Sequence, residues 1–376
     1  MICIQPYSPT QKSLWNTFNQ SAKNGIFLFD RDYMDYHSDR FKDNSLLFFE
    51  DDKLLALLPL NAQGGTLYSH QGLTFGGFIV GDSMRQTKML ECFSSLREYM
   101  RDCGFERLFY KVLPYTYHQN PAQEDLYALF RNQARLYRTD CSTTIDLRNS
   151  FKMSELRKRG VKKANKEGVE IEHSLDFSSF IALANEVLQD KHNTKAVHST
   201  EELSLLHSRF MDNIKLFVAK KNQEILAATL LFIYPNLIHT QYLAVNDKGR
   251  EIGALDLLLK TLIDIYADSK TYFDFGISTE SNGTFLNTGL ISQKEGFGGR
   301  TITHQFYELL AGGLIYALIA PLLLFLFIFY HFFFLQKFIL SFYFAQYRKI
   351  AQELLAHSTH NHVKSTRGAR NDTLSL

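Results

Sequence analysis

The chain has 376 residues, room for two domains and an appendage, with 41 basic against 39 acidic side chains. That balance excludes a nucleic-acid surface built on global charge, and DNA is not an expected partner. Cys3, Cys92, Cys103 and Cys141 form no CxxC pair and no His/Cys ligand spacing, so they read as reduced packing residues and no metal is assigned.

The opening residues MICIQPYSPTQKSLW carry no basic segment followed by a long apolar one, so no secretory signal is expected. Residues 1–150 read as one α/β domain. Apolar runs at 45–49 and 53–60, parted by Glu50, Asp51 and Asp52, predict a hairpin. Helices are expected at 88–103 and 124–136, with a strand at 107–113 between them. The glycine-rich loop SHQGLTFGG, 69–77, reads as a turn or as the lining of a substrate groove. Arg31, Asp32, Tyr33, Tyr36 and His37 read as a solvated loop.

Seven cations lie between Lys152 and Lys166 on a predicted helix. Part of such a run is a solvated face. Beside a groove between domains, Arg157, Arg159 and Lys163 are candidates to attract a diphosphate-bearing acceptor or anionic lipid, and guanidiniums suit bidentate phosphate contacts. Next come a helix, a polar loop at 191–199 holding His192 and His198, a second helix and a hairpin over 215–232.

The stretch 238–299 follows. Residues 239–245 read as a strand, and Gly253-Ala254 open an amphipathic helix carrying Leu255, Leu258, Leu259, Leu262 and Ile263 at helical spacing. An aromatic strand at 271–277 and a helix stopping at Gly296, Gly298 and Gly299 complete a βαβ unit with a parallel pair. A helix N-terminus presents unpaired N–H groups, so Arg250, Gly253 and Ala254 form a candidate pyrophosphate site; the alternative is a turn built for close packing.

Arg250-Glu251-Ile252-Gly253-Ala254-Leu255 resembles the Arg/Gln-x-x-Gly-x-Gly/Ala acyl-CoA turn of the GNAT N-acyltransferase superfamily, departing at Leu255. Residues 273–278, FDFGIS, followed by Lys294-Glu295-Gly296-Phe297-Gly298, resemble the Fem-like branch, which joins two tandem GNAT-type domains. The likeness covers roughly residues 20 to 308, including the basic helix and strand at 157–172.

The resemblance implies an α/β fold with mixed sheets: a degenerate GNAT-like domain at 1–150 and an acyl-donor-binding one at 151–308. Acetyl-CoA or another acyl-CoA is the implied donor, and an amino group of a cell-envelope precursor, such as a lipid-linked amino sugar, the implied acceptor. Aminoacyl transfer from tRNA to a peptidoglycan precursor, and a non-catalytic assembly scaffold, are the alternatives. It also implies an oxyanion donor among the main-chain N–H groups near Ala244 and Val245, and a place near the acyl group for Lys294. Ser292 stands where many GNAT enzymes carry a tyrosine acid. For the base, His239, Asp274 and Glu280 lie near strand ends. Asp274 ranks above His239, because burial in an aromatic strand raises a carboxyl pKa.

After a last strand at 301–309, Leu309 to Tyr330 carries no charge, and the apolar character continues to Phe344. As a helix the uncharged run spans ~33 Å, against a hydrocarbon core of about 30 Å, so 309–346 is expected to anchor the chain in the membrane. The basic tail at 347–376 stays cytoplasmic by charge, which makes the anchor a hairpin broken at Pro321, or else a single span with an exported tail. The expected location is the cytoplasmic face of the inner membrane.

Overall fold

Two sheets organise the residues that the computed structural model describes, which are 2–192, 196–312, 327–332, 336–337, 340 and 342–352. In chain order the first elements are β1 (Ile2–Pro6), α1 (Lys12–Ser21), α2 (Arg31–Met34), β2 (Leu46–Glu50), β3 (Lys53–Leu58), β4 (Asn61–Gln63), β5 (Thr66–Tyr68), β6 (Ile79–Val80), α3 (Gln86–Asp102), β7 (Arg107–Lys111), α4 (Glu124–Arg131) and β8 (Arg135–Asp146). Then come α5 (Glu155–Lys166), β9 (Glu170–Ser174), α6 (Phe177–His192), α7 (Thr200–Arg209), β10 (Ile214–Lys221), β11 (Glu224–Ile233), β12 (Leu237–Val245), α8 (Asp247–Ile252), α9 (Ala254–Tyr266), β13 (Tyr272–Ile277), β14 (Thr279–Glu280), β15 (Phe285–Leu286), α10 (Thr288–Glu295) and β16 (Arg300–Leu310).

A small sheet runs β1-β2-β3-β6, and a ten-stranded one runs β4-β5-β7-β16-β8-β13-β12-β11-β10-β9. The long sheet joins early and late strands. β8 pairs antiparallel with β13, and β16 returns to lie between β7 and β8. Leu258, Leu259, Leu262 and Ile263 of α9 are buried under this sheet with Phe273, Phe275 and Phe297, as their helical spacing requires. The architecture is α/β with mixed sheets, since β12 and β13 are parallel among antiparallel neighbours.

Three expectations are corrected. The helix expected at 124–136 stops at Arg131, where Gln133 takes a left-handed φ of 56°, and residues 135–146 form β8. Arg31 and Tyr33 are buried rather than solvated. The Arg31 guanidinium lies 3.8 Å from the Tyr7 ring and pairs with Asp35 at 2.6 Å and Asp43 at 2.9 Å, which makes its burial tolerable.

The third correction concerns 309–346. Leu309 and Leu310 close strand β16 against Leu108 and Arg107, and the Ala311 N–H donates to the Glu106 carbonyl. Sheet pairing therefore claims the first residues of the apolar run. Among the described residues no helix is long and apolar enough to cross a membrane, which overturns both the membrane segment and the location inferred from it. Residues 313–326, Pro321 among them, lie outside the described residues, as does 353–376 of the tail. Residues 1–313 form one unit and 314–376 a second, in which 327–332 and 342–352 are helical.

Candidate active site

The site begins with two parallel strands that part. β12 and β13 pair at Leu237↔Tyr272, Ile238↔Phe273 and His239↔Asp274, and the register ends there. Beyond it β12 stays with β11 through a bulge that takes up Gln241 between Thr240 and Tyr242. β13 turns at Gly276, whose φ of 74° suits glycine, and its pairing with β8 shifts between Asp274 and Ile277. A cavity of about 550 Å³ opens where the strands separate, with His239, Gln241, Gly276, Lys294, His304 and Lys111 in its wall.

His239 and Asp274 meet at the fork. Asp274 is 1 % exposed, and its Oδ1 accepts hydrogen bonds from Ser142 Oγ and Thr144 Oγ1, both at 2.7 Å. Its Oδ2 accepts from the Tyr117 hydroxyl at 2.8 Å and lies 2.7 Å from His239 Nδ1. A carboxylate only accepts, so Nδ1 carries a proton and Nε2 is the ring nitrogen left to the cavity side. Burial pushes the Asp274 carboxyl up, but the His239 hydrogen bond and charge, with His304 and the Ser142 hydroxyl, outweigh it. The group is held well below the usual carboxylate range. This reverses the rise expected from burial alone: Asp274 stays ionised beside His239, which lines the cavity.

Two further groups are tuned by the same enclosure. Burial lowers the His304 imidazole to about 4, with Asp274 opposing, so it is neutral at physiological pH. Burial also lowers Lys294 to about 8, again opposed by Asp274. The Lys294 ammonium donates to the carbonyls of Gly276 at 2.9 Å and Ile277 at 2.7 Å, which pins α10 to the turn of β13. Glu280 is exposed in the β14–β15 ribbon, outside the cavity wall, and accepts from Asn287 Nδ2 at 2.9 Å. His198 Nδ1 sits 2.7 Å from the Tyr242 hydroxyl, and the His192 side chain lies outside the described residues.

A second cavity of about 810 Å³ opens at the head of α9, lined among others by Val245, Arg250, Gly253, Ser292, Gln293 and Arg157. Gly253 ends α8 and caps α9 with φ 82°; a Cβ there would come within 2.4 Å of the Gly160 carbonyl oxygen. Ala254 is fully buried rather than facing this cavity. The basic helix α5 packs on this helix head. Arg157 pairs with Asp256 at 2.6 Å and Lys163 donates to the Glu251 carbonyl at 2.9 Å, while Arg159 is exposed. Arg157 and Lys163 thus sit at the head of α9 and Arg159 faces solvent, and none of the three lines the His239 cavity.

The two cavities share walls. On α10, Gly289, Ser292 and Gln293 face one, and Leu290 and Lys294 face the other, as helical spacing of three and four allows. On β12, Val245 lines the first and His239, Gln241 and Leu243 the second. Sequence reasoning missed Tyr117, Ser142, Thr144, His304, Lys111 and Arg138. The alternation in Cys141-Ser142-Thr143-Thr144 puts two hydroxyls on one strand face, a signal that was readable once β8 was known to be a strand.

Residues 153–282 match the sequence model of the family described as acetyltransferase (GNAT) domain. No curated protein matches the chain by sequence. Among solved structures, FemX superposes with a TM-score of 0.59 at 12 % identity, covering 84 % of this chain and 99 % of its own. L-PGS from Bacillus licheniformis gives 0.53 at 14 %, covering 81 % and 92 %. A conserved protein of unknown function from Bacteroides thetaiotaomicron VPI-5482 gives 0.53 at 12 %, covering 82 % and 100 %. At these identities the likeness is one of fold.

Proposed function

We propose that this chain, a GNAT-type acyltransferase of the Fem-like branch, transfers an acyl group from acyl-CoA, with acetyl the simplest case, to an amino group of a cell-envelope precursor. One observation carries the reading: β12 and α10 each contribute residues both to the cavity at the head of α9 and to the cavity lined by His239, which Asp274 holds from behind. A carrier whose diphosphate rests by Arg250 and Gly253 can then pass its thioester between β12 and β13 towards His239. The cell-envelope acceptor is supported by the fold shared with FemX and by the Fem-like motifs at 273–278 and 294–298.

In the proposed reaction His239 Nε2 takes a proton from the acceptor nitrogen as that nitrogen bonds to the thioester carbon. The carbon–sulfur bond breaks, and the proton passes from imidazole to the thiolate. Main-chain N–H groups of β12 beyond His239, released from pairing with β13, are the oxyanion donors. Lys294 places Gly276 and so the floor under His239.

Calorimetry with acetyl-CoA on the full chain tests the donor. Gly289 lines the donor cavity with no atom nearer than 3.7 Å to its would-be Cβ, so Gly289→Trp fills the space without touching the turn. Wild type binds and the variant does not. Equal heats from both, or none from wild type, overturn the acyl-CoA reading.

A further inference from the structure

Lys111 is a cation that the reaction above does not use. It ends β7 and reaches the His239 cavity beside Arg138, Asp140 and Thr74. Its ammonium donates to the carbonyls of His70 at 3.0 Å and Leu73 at 2.5 Å, both in the glycine-rich loop 69–77. Lysine has three N–H donors, so one is left over. Asp140 is the one carboxylate among the described residues lining this cavity, and it is occupied. Arg138 Nη2 lies 2.7 Å from its Oδ2 and Thr279 Oγ1 is 2.9 Å from its Oδ1. Arg138 in turn covers the Phe306 ring at 4.5 Å and donates to Asn282 at 3.2 Å.

An ammonium without a carboxylate partner, enclosed beside an already neutralised ion pair, is expensive to keep and calls for an anion. Burial and the Arg138 charge both lower it, to about 8. The Lys294 ammonium across the same cavity adds to the positive field, while Asp274 sits behind His239. We infer that Lys111 binds an anionic group of the acceptor, a carboxylate or phosphate carried on the same small scaffold as the amine presented to His239. This rests on the reading that the His239 cavity takes the acceptor. Loop 69–77 then acts in specificity, since two of its carbonyls aim the lysine.

Three amines with two carbons between the nitrogen and the polar group separate the possibilities: ethanolamine, phosphoethanolamine and β-alanine. Their binding to the full chain is measured calorimetrically without donor, so a failed acyl-CoA reading leaves the result intact. Wild type prefers phosphoethanolamine or β-alanine to ethanolamine by about tenfold or more, the scale of one charge-assisted hydrogen bond, and the better of the two identifies the anion. Lys111→Met abolishes the preference and Lys111→Arg retains most of it. No anion preference in wild type, or one surviving in Lys111→Met, overturns the inference. If Lys111→Met does not fold, acetic anhydride labelling of wild type, read by mass spectrometry, decides. Protection of Lys111 by phosphoethanolamine or β-alanine but not ethanolamine supports it, and unchanged labelling overturns it.

Discussion

His239 Nδ1 lies 2.7 Å from Asp274 Oδ2, on a carboxylate that three hydroxyls also hold, from Tyr117, Ser142 and Thr144. Two of those hydroxyls belong to β8 and one to the segment before α4, so the pair is fixed by chain far from its own βαβ unit. His239→Gln should therefore lower kcat by about 10²–10⁴-fold, the usual span for a general base. On the proposed reading the acetyl-CoA dissociation constant should stay put, since the cavity at the head of α9 is lined by other residues. Steady-state rates and calorimetry on the same preparation check both halves.

Asp274→Asn replaces one acceptor oxygen by a donor where four donors converge. An amide cannot satisfy all of them, so a stability loss of about 1–3 kcal/mol is expected in urea melts. The rate should fall as far as in His239→Gln, because the imidazole loses the partner that fixes its tautomer.

Acid should unfold the protein in two stages. Burial holds His118 and His304 at about 4, so the unfolded chain binds their protons more readily than the folded one. Their contribution is complete above the ordinary 6.5 and is lost as pH falls to about 4, roughly 3 kcal/mol each. Asp274 has the opposite chemistry and the same sign. Its depressed carboxyl stabilises the fold above the unfolded carboxylate range and is lost only well below it. Melts from pH 7 to 4 should show the first slope, and His304→Gln should flatten it.

Gly276 carries φ 74°, and a Cβ on it would sit 3.2 Å from His239 Cε1. Gly276→Ala should destabilise by ~1–2 kcal/mol through the left-handed backbone. It should also displace the imidazole and reduce kcat more than it changes acetyl-CoA affinity. A variant with normal kcat would show that the ring has room to spare.

Arg157 and Asp256 form a mostly buried pair at 2.6 Å beside the turn at Gly253. Arg157→Ala strands the carboxylate and should cost about 3 kcal/mol. Asp256→Ala added to it should restore most of that, a coupling that a double-mutant cycle in urea reads directly.

Local periodicity makes α9 legible, because Leu258, Leu259, Leu262 and Ile263 need only one another's spacing to define a buried stripe. The turn at Gly253 was less so: it reads as a strand handing over to a helix, but the short helix α8 intervenes and Gly253 joins α8 to α9. β8 was not legible. A helical reading of 124–136 runs into it, and what makes residues 135–146 a strand is pairing with β13 and β16 from far along the chain. The apolar run after residue 308 misled for a related reason: hydrophobicity suits a sheet interior as well as a bilayer, and strand β7 captures its first residues, Leu309 and Leu310.

The amino-acid sequence by itself determined the buried stripe of α9, which depends on neighbours within a turn or two, and offered His239 and Asp274 as groups able to move protons. The tertiary structure alone decided which of them holds the proton. A pKa sums burial with every charge and donor in reach, and those around Asp274 are brought from residues 117, 142, 144 and 304 by sheet pairing and loop packing that no local pattern records.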